Sequence, residues 1–404
     1  MSIDDGKELA PTARPTGAAE AASGRTVAEF FAGIGLVGLA LERQGWAVAF
    51  ANDIDPKKFE MFADNFPNRA ARYKLADIHA LSAADAPTVT LATACFPCTD
   101  LSLAGRRNGL EGRQSGALLG FLRVLREMGG RRPPLAMLEN VAGFLTCRGG
   151  KDFRTALGAL NELGYAVDAF LLDAVRFVPQ SRPRLFVVGA SSGAPRDDSL
   201  IEPRRCPESS LRPAALARFI RREASVEWRI MDLPEPPAHG GALSEILEDL
   251  PDDSNEWWSR ERVDYLLSQM SPRHAHLVRE RIGQASYSYG TAFRRMRHGR
   301  SMAELRIDGV AGCLRTPRGG SSRQILARMG KGTVAARHLT ARECARLQGV
   351  PDSYKINVPK NQALFGFGDA VCVPVIEWIA QHCLNAVAEQ IVAAPALAAG
   401  SSSR

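Results

Sequence analysis

A chain of 404 residues with 45% hydrophobic and 24% charged residues is long enough for two units, or one large unit with an insertion, and has the composition of an ordinary soluble protein. Its formal charge of +7, from 51 Lys and Arg against 44 Asp and Glu, permits a polyanionic partner without requiring one. Eight scattered cysteines with no charged, hydrophobic leader predict reduced thiols and a cytosolic protein, and no run of about 18 apolar residues predicts a membrane span.

In chain order, residues 1–24 read as a flexible tail. "TVAEFFAGIG" then reads as a strand entering a glycine-rich turn, "LVGLALERQG" as a helix, "AVAFANDID" as a strand ending in acids and "PKKFEMFADNF" as a helix. "PTVTLATACF" predicts a strand, "SGALLGFLRVLREMG" a helix, "LAMLENVAGF" a strand and its exit, "FRTALGALNELG" a helix and "RLFVVGA" a strand. Such alternation over residues 25–190 predicts an α/β unit with a largely parallel sheet, whose ligands bind beyond the carboxyl ends of the strands. From 191 to 335 the chain is rich in Pro, Arg, Ser and Gly, which predicts a smaller, irregular unit. Helical patterning returns over 336–392, where Thr340 and Glu343 have the spacing of a capping box and "CVPVIEWIAQHCLNAVAEQIVA" needs the first unit as an apolar partner. Residues 393–404 read as a second tail.

The chemistry gathers at the strand ends. Gly33, Gly35 and Gly38 follow the first strand and bring backbone close to a ligand, while Asp53 and Asp55 arrive about 20 residues later, where a ribose is met. Asp77 in "LADIHA" would reach the same crevice, so an adenosine-containing cofactor is expected. "TACFPCTDLSLAG" places Cys95 and Cys98 three apart, a spacing compatible with a redox pair, half a metal site or one activated thiol. A carboxylic acid, Glu139, is expected beside Cys98 from the next strand, and "QSRPR" adds Gln180, Arg182 and Arg184. A thiol, an acid and two guanidinium groups suit sulfur attack on a polar, electron-poor ring.

These motifs together resemble the DNA cytosine methyltransferases that modify ring carbon 5, of the bacterial modification type, over roughly 25–190 and 285–392. "FFAGIG" is similar to the family's first motif, Pro97-Cys98 to its nucleophile motif, Glu139-Asn140-Val141 and Gln180-x-Arg182-x-Arg184 to its catalytic motifs, and "TARECARLQGVPD" and "FGFGDAVCVPV" to its late ones. The resemblance implies a Rossmann-like S-adenosylmethionine-dependent methyltransferase sheet with a smaller target-recognition domain. It implies binding of S-adenosyl-L-methionine, with S-adenosyl-L-homocysteine as product, by Phe31, Gly33, Gly35, Asp53, Ile54, Asp77, Ile78, Pro97, Asp369 and Ala370, and no metal. By the same resemblance Cys98 adds to carbon 6 of a flipped cytosine, Glu139 protonates ring nitrogen 3, Arg184 meets the base carbonyl and Arg182 steadies Glu139 and the nucleophile loop. Cys95, Thr99, Asp369 and Ala370 depart from the usual Gly, Gln and Asn-Ser; Cys95 reads as a buried small residue and Asp369 as a change beside a positively charged cofactor.

Double-stranded DNA is the expected partner. Residues 102–116, with Arg106, Arg107 and Arg113, read as a loop that closes over the flipped nucleotide, and Arg294, Arg295, Arg297, Arg318, Ser321 and Arg323 as contacts from the second unit. His274 and His276 lack a third ligand, and Trp257 and Trp258 read as packing. The resemblance further implies a monomer in a restriction-modification system, cytoplasmic and nucleoid-associated, paired in function with a restriction endonuclease without a stable complex. A transfer RNA methyltransferase and a nicotinamide-dependent oxidoreductase are the rival readings; the first leaves the long second unit unexplained, and the second leaves Cys98, Glu139 and the arginine pair without roles.

Overall fold

The structure, a computed structural model, describes residues 24–97, 116–194, 200–297, 299–316 and 323–391. Seven strands of the first half form one sheet: β1 (Thr26–Phe30), β2 (Ala47–Asp53), β3 (Tyr73–Leu75), β4 (Leu91–Ala94), β5 (Leu135–Val141), β6 (Tyr165–Asp173) and β7 (Pro183–Ser191). Their spatial order is β3-β2-β1-β4-β5-β7-β6. The central strands read as continuous apolar runs because both sheet faces are covered. Among the covering helices are α1 (Leu36–Arg43), α2 (Pro56–Asn65), α3 (Gly116–Glu127) and α4 (Lys151–Glu162). Local sequence starts α2 where it does: Asp55 accepts the Lys57 N–H at 2.9 Å and Pro56 opens the first turn.

Two features of this sheet differ from simple alternation. β7 runs antiparallel to both β5 and β6. And β6, "YAVDAFLLD", is a strand whose apolar run is broken by Asp168, a fully buried residue. Arg212 Nη2 donates to both oxygens of that carboxylate at 3.0 and 2.7 Å, and the Ala169 and Met231 N–H groups donate to it as well. Burial pushes the Asp168 carboxyl up, against the pull of Arg212.

Arg212 belongs to the segment expected to open the second unit, yet that segment packs on the first. Leu211, Leu216, Ile220, Trp228, Ile230 and Met231 join the two large cores that flank the seven-stranded sheet. β8 (Leu200–Ile201), helix α5 (Ala214–Arg222) and β9 (Ile230–Met231) lie in this stretch. The boundary expected at residue 191 therefore does not coincide with the division of the cores, because residues 200–246 bury their apolar side chains against β6 and its neighbours.

The separate core begins with α6 (Arg260–Ser268) and α7 (Pro272–Ile282). They cover a regular antiparallel sheet of β10 (Ser288–Arg297), β11 (Arg300–Arg306), β12 (Ile325–Gly330) and β13 (Thr333–His338), in the order β11-β10-β12-β13. Val263, Leu266, Val278, Ala292, Ile325 and Met329 form its centre. The expected irregularity of this region is replaced by a sheet whose half-exposed strands carry arginines on their open faces, which masked the alternation.

The chain then returns. In α8 (Ala341–Leu347) the Thr340 hydroxyl accepts the Glu343 N–H at 3.1 Å while Glu343 accepts the Thr340 N–H at 2.9 Å, the capping box read from the sequence. α9 (Lys360–Asp369) and α10 (Val373–Ile379) lie in a helical stretch, Lys360–Ile391, long and apolar enough to cross a membrane. With 72% of its apolar window buried, it is a core element: Val373, Val375, Ile376 and Ile379 share one core with Val37, Ala40 and Leu41 of α1. The Trp46 indole N–H closes this contact on Asn385 Oδ1 at 2.8 Å.

Candidate active site

Parallel strands deliver their last residues to one end of a sheet, and an antiparallel strand delivers its first residues there. β7 therefore brings Arg184 opposite Val141 and Leu185 opposite Asn140, at the tips of β1, β2 and β4. Had β7 been parallel, both arginines would have arrived at the far edge.

At the tip of β1, Phe31 has φ +58° and Gly33 and Gly35 have φ +55° and +82°, values that favour glycine at the latter two. A Cβ on Gly35 would lie 2.7 Å from the rings of Phe62 and Phe66, so the turn needs glycine for space as well. Asp53, at the tip of β2, fixes this turn: its Oδ2 accepts the Gly33 N–H at 2.9 Å and its Oδ1 accepts the Asp55 N–H at 3.0 Å. Tyr354 from the returning segment donates to the Ile34 carbonyl at 2.9 Å, and Tyr73 to that of Gly33 at 3.3 Å. Asn52 donates to the carbonyls of Lys74 and Ala76, tying the tips of β2 and β3 together.

Beside the turn Ile54 is 62% exposed and Leu75 46%, an aliphatic surface suited to an aromatic base. Asp77 accepts the His79 N–H at 2.9 Å and stays exposed. Ile78, expected at the cofactor, is instead buried in the core beneath α3, where a Cβ on Gly120 would meet it at 2.9 Å; its position offers a ligand backbone only. A glycine turn open to close approach, two acids and an exposed aliphatic surface fit an adenosine-containing cofactor.

Asp369 acquires a local explanation. Lys58 Nζ lies 2.8 Å from its Oδ2, so a cation compensates the carboxylate that stands where the family has an amide. Burial pulls the Lys58 ammonium down, but Asp369, Asp53 and Asp55 outweigh it and raise it above its ordinary range. Ala370 contributes its carbonyl to the interior, as described below.

The second cluster lies at β4, β5 and β7. Glu139 is buried, and its Oε1 lies 2.9 Å from Arg184 Nε. The next residue, Asn140, donates to the Phe96 carbonyl at 3.1 Å and so pins the turn that leads through exposed Pro97. Cys95 packs partly buried against the core, and burial first, then the Glu139 and Glu29 carboxylates, push its thiol well above the ordinary range. Cys98, Arg106, Arg107 and Arg113, like Arg318 and Ser321, lie outside the described residues.

Arg182 occupies a place unlike the one expected. It is 3% exposed and donates to the carbonyls of Leu314, Gly368 and Ala370 at 2.8, 3.2 and 2.7 Å, which fastens β7 to the returning chain. The guanidinium on Glu139 is that of Arg184. Gln180 performs a similar fastening, donating to the Leu347 carbonyl at 2.7 Å and accepting the Leu314 N–H at 2.9 Å. Sequence reasoning missed Cys313, whose Sγ lies 3.3 Å from Arg182 Nη1 and 3.9 Å from Arg184 Nη2. Burial would raise that thiol, but Arg182, Arg184 and Arg315 prevail and hold it below its ordinary range. No pattern in the sequence distinguished it from the other cysteines.

In the second sheet, Arg295 and Arg297 both pair with Glu304, at 3.2 and 2.8 Å, whereas Arg294 and Arg323 make no ion pair with any described residue. Trp257 and Trp258 pack against the cores, as read, but each also carries a guanidinium on its face. Among the described residues no three metal-ligating side chains converge.

The family model described as C-5 cytosine-specific DNA methylase matches residues 25–385. The type II methyltransferase M.NgoBI of Neisseria gonorrhoeae is 26% identical over 363 residues, covering 88% of this chain and 92% of that protein. M.HhaI of Haemophilus parahaemolyticus, also a type II methyltransferase, gives the same identity and coverage. Among solved structures, S. pombe Dnmt2 methyltransferase superposes with a TM-score of 0.57 at 17% identity, covering 92% of this chain and 98% of that one, a likeness of fold.

Proposed function

The chain belongs to the C-5 cytosine-specific DNA methylase family, and from that premise we propose that it transfers a methyl group from S-adenosylmethionine to carbon 5 of a cytosine flipped out of a specific double-stranded DNA site, as the modification enzyme of a restriction-modification system. The observation that carries the reading is the Glu139–Arg184 pair at the tip of β5 and β7, beside the Asn140-pinned turn that leads into Pro97 and Cys98.

Cytosine carbon 5 is a weak nucleophile. Addition of the Cys98 thiolate to carbon 6 makes it one, provided the charge pushed into the ring is met at nitrogen 3. Glu139 is the group for that proton, and the Arg184 contact on Oε1 fixes its orientation. Arg182 and Gln180 act indirectly, holding β7 against 313–314 and 347–370 so that Arg184 and Glu139 keep their alignment. The cofactor, when bound, supplies an electrophilic methyl group; Asp53, Asp77, Ile54 and the Gly33–Gly35 turn would hold it. Once carbon 5 has lost its proton to a base or water, the thiolate leaves. Flipping costs a few kcal/mol, which contacts from residues 102–116 and the second sheet offset. The enzyme acts as a monomer in the cytoplasm, with no metal, and a cognate endonuclease need not bind it.

Incubating the protein and cofactor with unmethylated genomic DNA and mapping modified bases is expected to return one short motif with 5-methylcytosine at a fixed position. Cys98→Ser should abolish transfer yet bind cofactor normally by calorimetry. Methylation of transfer RNA alone, or of the exocyclic amino group, would overturn the reading.

A further inference from the structure

Three guanidinium groups converge on one face of the second lobe. Arg262 from α6 stacks on the Trp258 ring at 3.9 Å from its centroid, and Arg294 from β10 lies 5.7 Å from the same centroid and 5.7 Å from that of Tyr265. Arg262 Nη2 is 3.4 Å from His338 Nε2, and His338 shares a cavity wall with Arg323 and Arg315. No carboxylate among the described residues pairs with Arg262, Arg294 or Arg323; the last holds only the neutral Asn361 amide, at 2.5 Å. Acids on adjoining elements are engaged elsewhere: Asp264 with Arg260, Glu304 with Arg295 and Arg297, Glu256 with Lys360.

Like charges held together without a counter-charge oppose folding, and the molecule registers it. Burial first, then Arg294 and Arg323, lower the Arg262 pKa. Burial, Arg323 and Arg262 press His338 down to about 4, so the imidazole is neutral at physiological pH and adds no fourth charge. Tyr265, 59% exposed, leaves an aromatic surface open beside the cluster. A polyanion with regularly spaced charges would relieve the repulsion.

Resting on the reading of duplex DNA as the substrate, we propose that Arg262 and Arg294, set on the Trp258 platform, and the neighbouring Arg323 form a phosphate clamp that grips the DNA backbone irrespective of sequence. Arg262 is the new member: it stacks on Trp258 beside a second guanidinium, and an arginine so held can meet a phosphate through two of its N–H groups. The clamp differs in kind from the neighbouring Arg295–Glu304–Arg297 group, whose charge is already met within the protein.

The test measures binding to two duplexes of unrelated sequence as a function of salt concentration. For each phosphate contact removed, the slope of log K against log salt should shrink by about 0.9. Arg262→Gln should lower the slope on both duplexes alike, Arg262→Lys should restore most of it, and Arg260→Gln, whose guanidinium already pairs with Asp264 at 3.0 Å on the same helix, should leave it unchanged. Unaltered cofactor binding together with an unchanged denaturant midpoint in Arg262→Gln establishes that both cores of the variant are folded. An unchanged slope in Arg262→Gln while the parent protein binds normally would overturn the clamp alone, as would a loss confined to one duplex, which marks a base contact. Failure of the parent protein to bind either duplex would overturn the DNA reading and the clamp with it.

Discussion

The arginines buried in the interior and those gathered beside α6 present the same group in opposite settings. Arg212 and Arg337 are 3% and 1% exposed, each on a buried carboxylate: Arg212 on Asp168, and Arg337 on both oxygens of Glu343 at 2.7 and 2.5 Å. Arg182 is as deeply buried and meets three carbonyls. Arg262, Arg294 and Arg323 lie nearer the surface, close to one another, and among the described residues no acid pairs with them. A guanidinium whose charge is met by carboxylates or carbonyls inside the protein holds the architecture. One whose charge is left open, at the cost of repulsion, is kept for something that the protein does not itself contain.

That contrast is most severely tested by removing one arginine of each kind. Arg212→Met strands the Asp168 carboxylate in the interior and should cost about 3–5 kcal/mol of stability, read from denaturant midpoints. Arg262→Gln should change stability by no more than about 0.5 kcal/mol, because it removes repulsion together with a stacking contact. Equal losses in the two variants would erase the distinction.

Glu139→Gln probes the boundary case, an ion pair that is buried yet faces the site. The amide keeps the size of the carboxyl and can still accept from Arg184, but it cannot deliver a proton, so turnover should fall by about two orders of magnitude or more. Transfer of labelled methyl to DNA measures this, with calorimetric cofactor binding as the control. Turnover equal to the parent would place Glu139 with Arg212 as architecture.

Much of the site was legible because its motifs are backbone requirements as well as chemical ones. Gly33 and Gly35 stand at positive φ, Asp53 reaches back to the turn, and Thr340 and Glu343 form their capping box. What escaped was whatever depends on partners distant in sequence. Asp168 concealed β6 because an acid in an apolar run looks like a strand end until Arg212, 44 residues later, neutralises it. The direction of β7 is not written in "RLFVVGA", yet it decides that Arg184 reaches Glu139. The division of labour between Arg182 and Arg184, only two residues apart, is decided by a returning segment more than 130 residues away whose carbonyls take Arg182. The second sheet was hidden because its arginines break the alternation that its buried residues keep.

A buried charge without full compensation also exists beneath the cofactor turn, and it bounds the contrast from the other side. Glu29 in β1 is 1% exposed; its Oε2 accepts the Gly38 N–H at 3.2 Å while its Oε1 has no hydrogen-bond partner. Burial outweighs the attraction of Arg69 and raises the carboxyl from 4.5 to about 8. The folded protein therefore keeps this proton at neutral pH, whereas the unfolded chain releases it above its ordinary value. Because the folded state binds more protons across that interval, stability declines as pH rises from about 4.5 toward about 8 and levels off beyond, where both states are ionised. Each pH unit within the interval carries at most about 1.4 kcal/mol, so a loss on the order of 1–2 kcal/mol is expected between pH 6 and 8. Glu29→Gln keeps an acceptor for Gly38 and has no proton to lose, so its stability should exceed the parent's at pH 8 and lack this part of the decline. Denaturant midpoints across the interval decide it. Identical pH profiles for the two proteins would mean that Arg69 compensates Glu29 after all, and that the interior beneath the turn, like that around Asp168, completes every charge it buries.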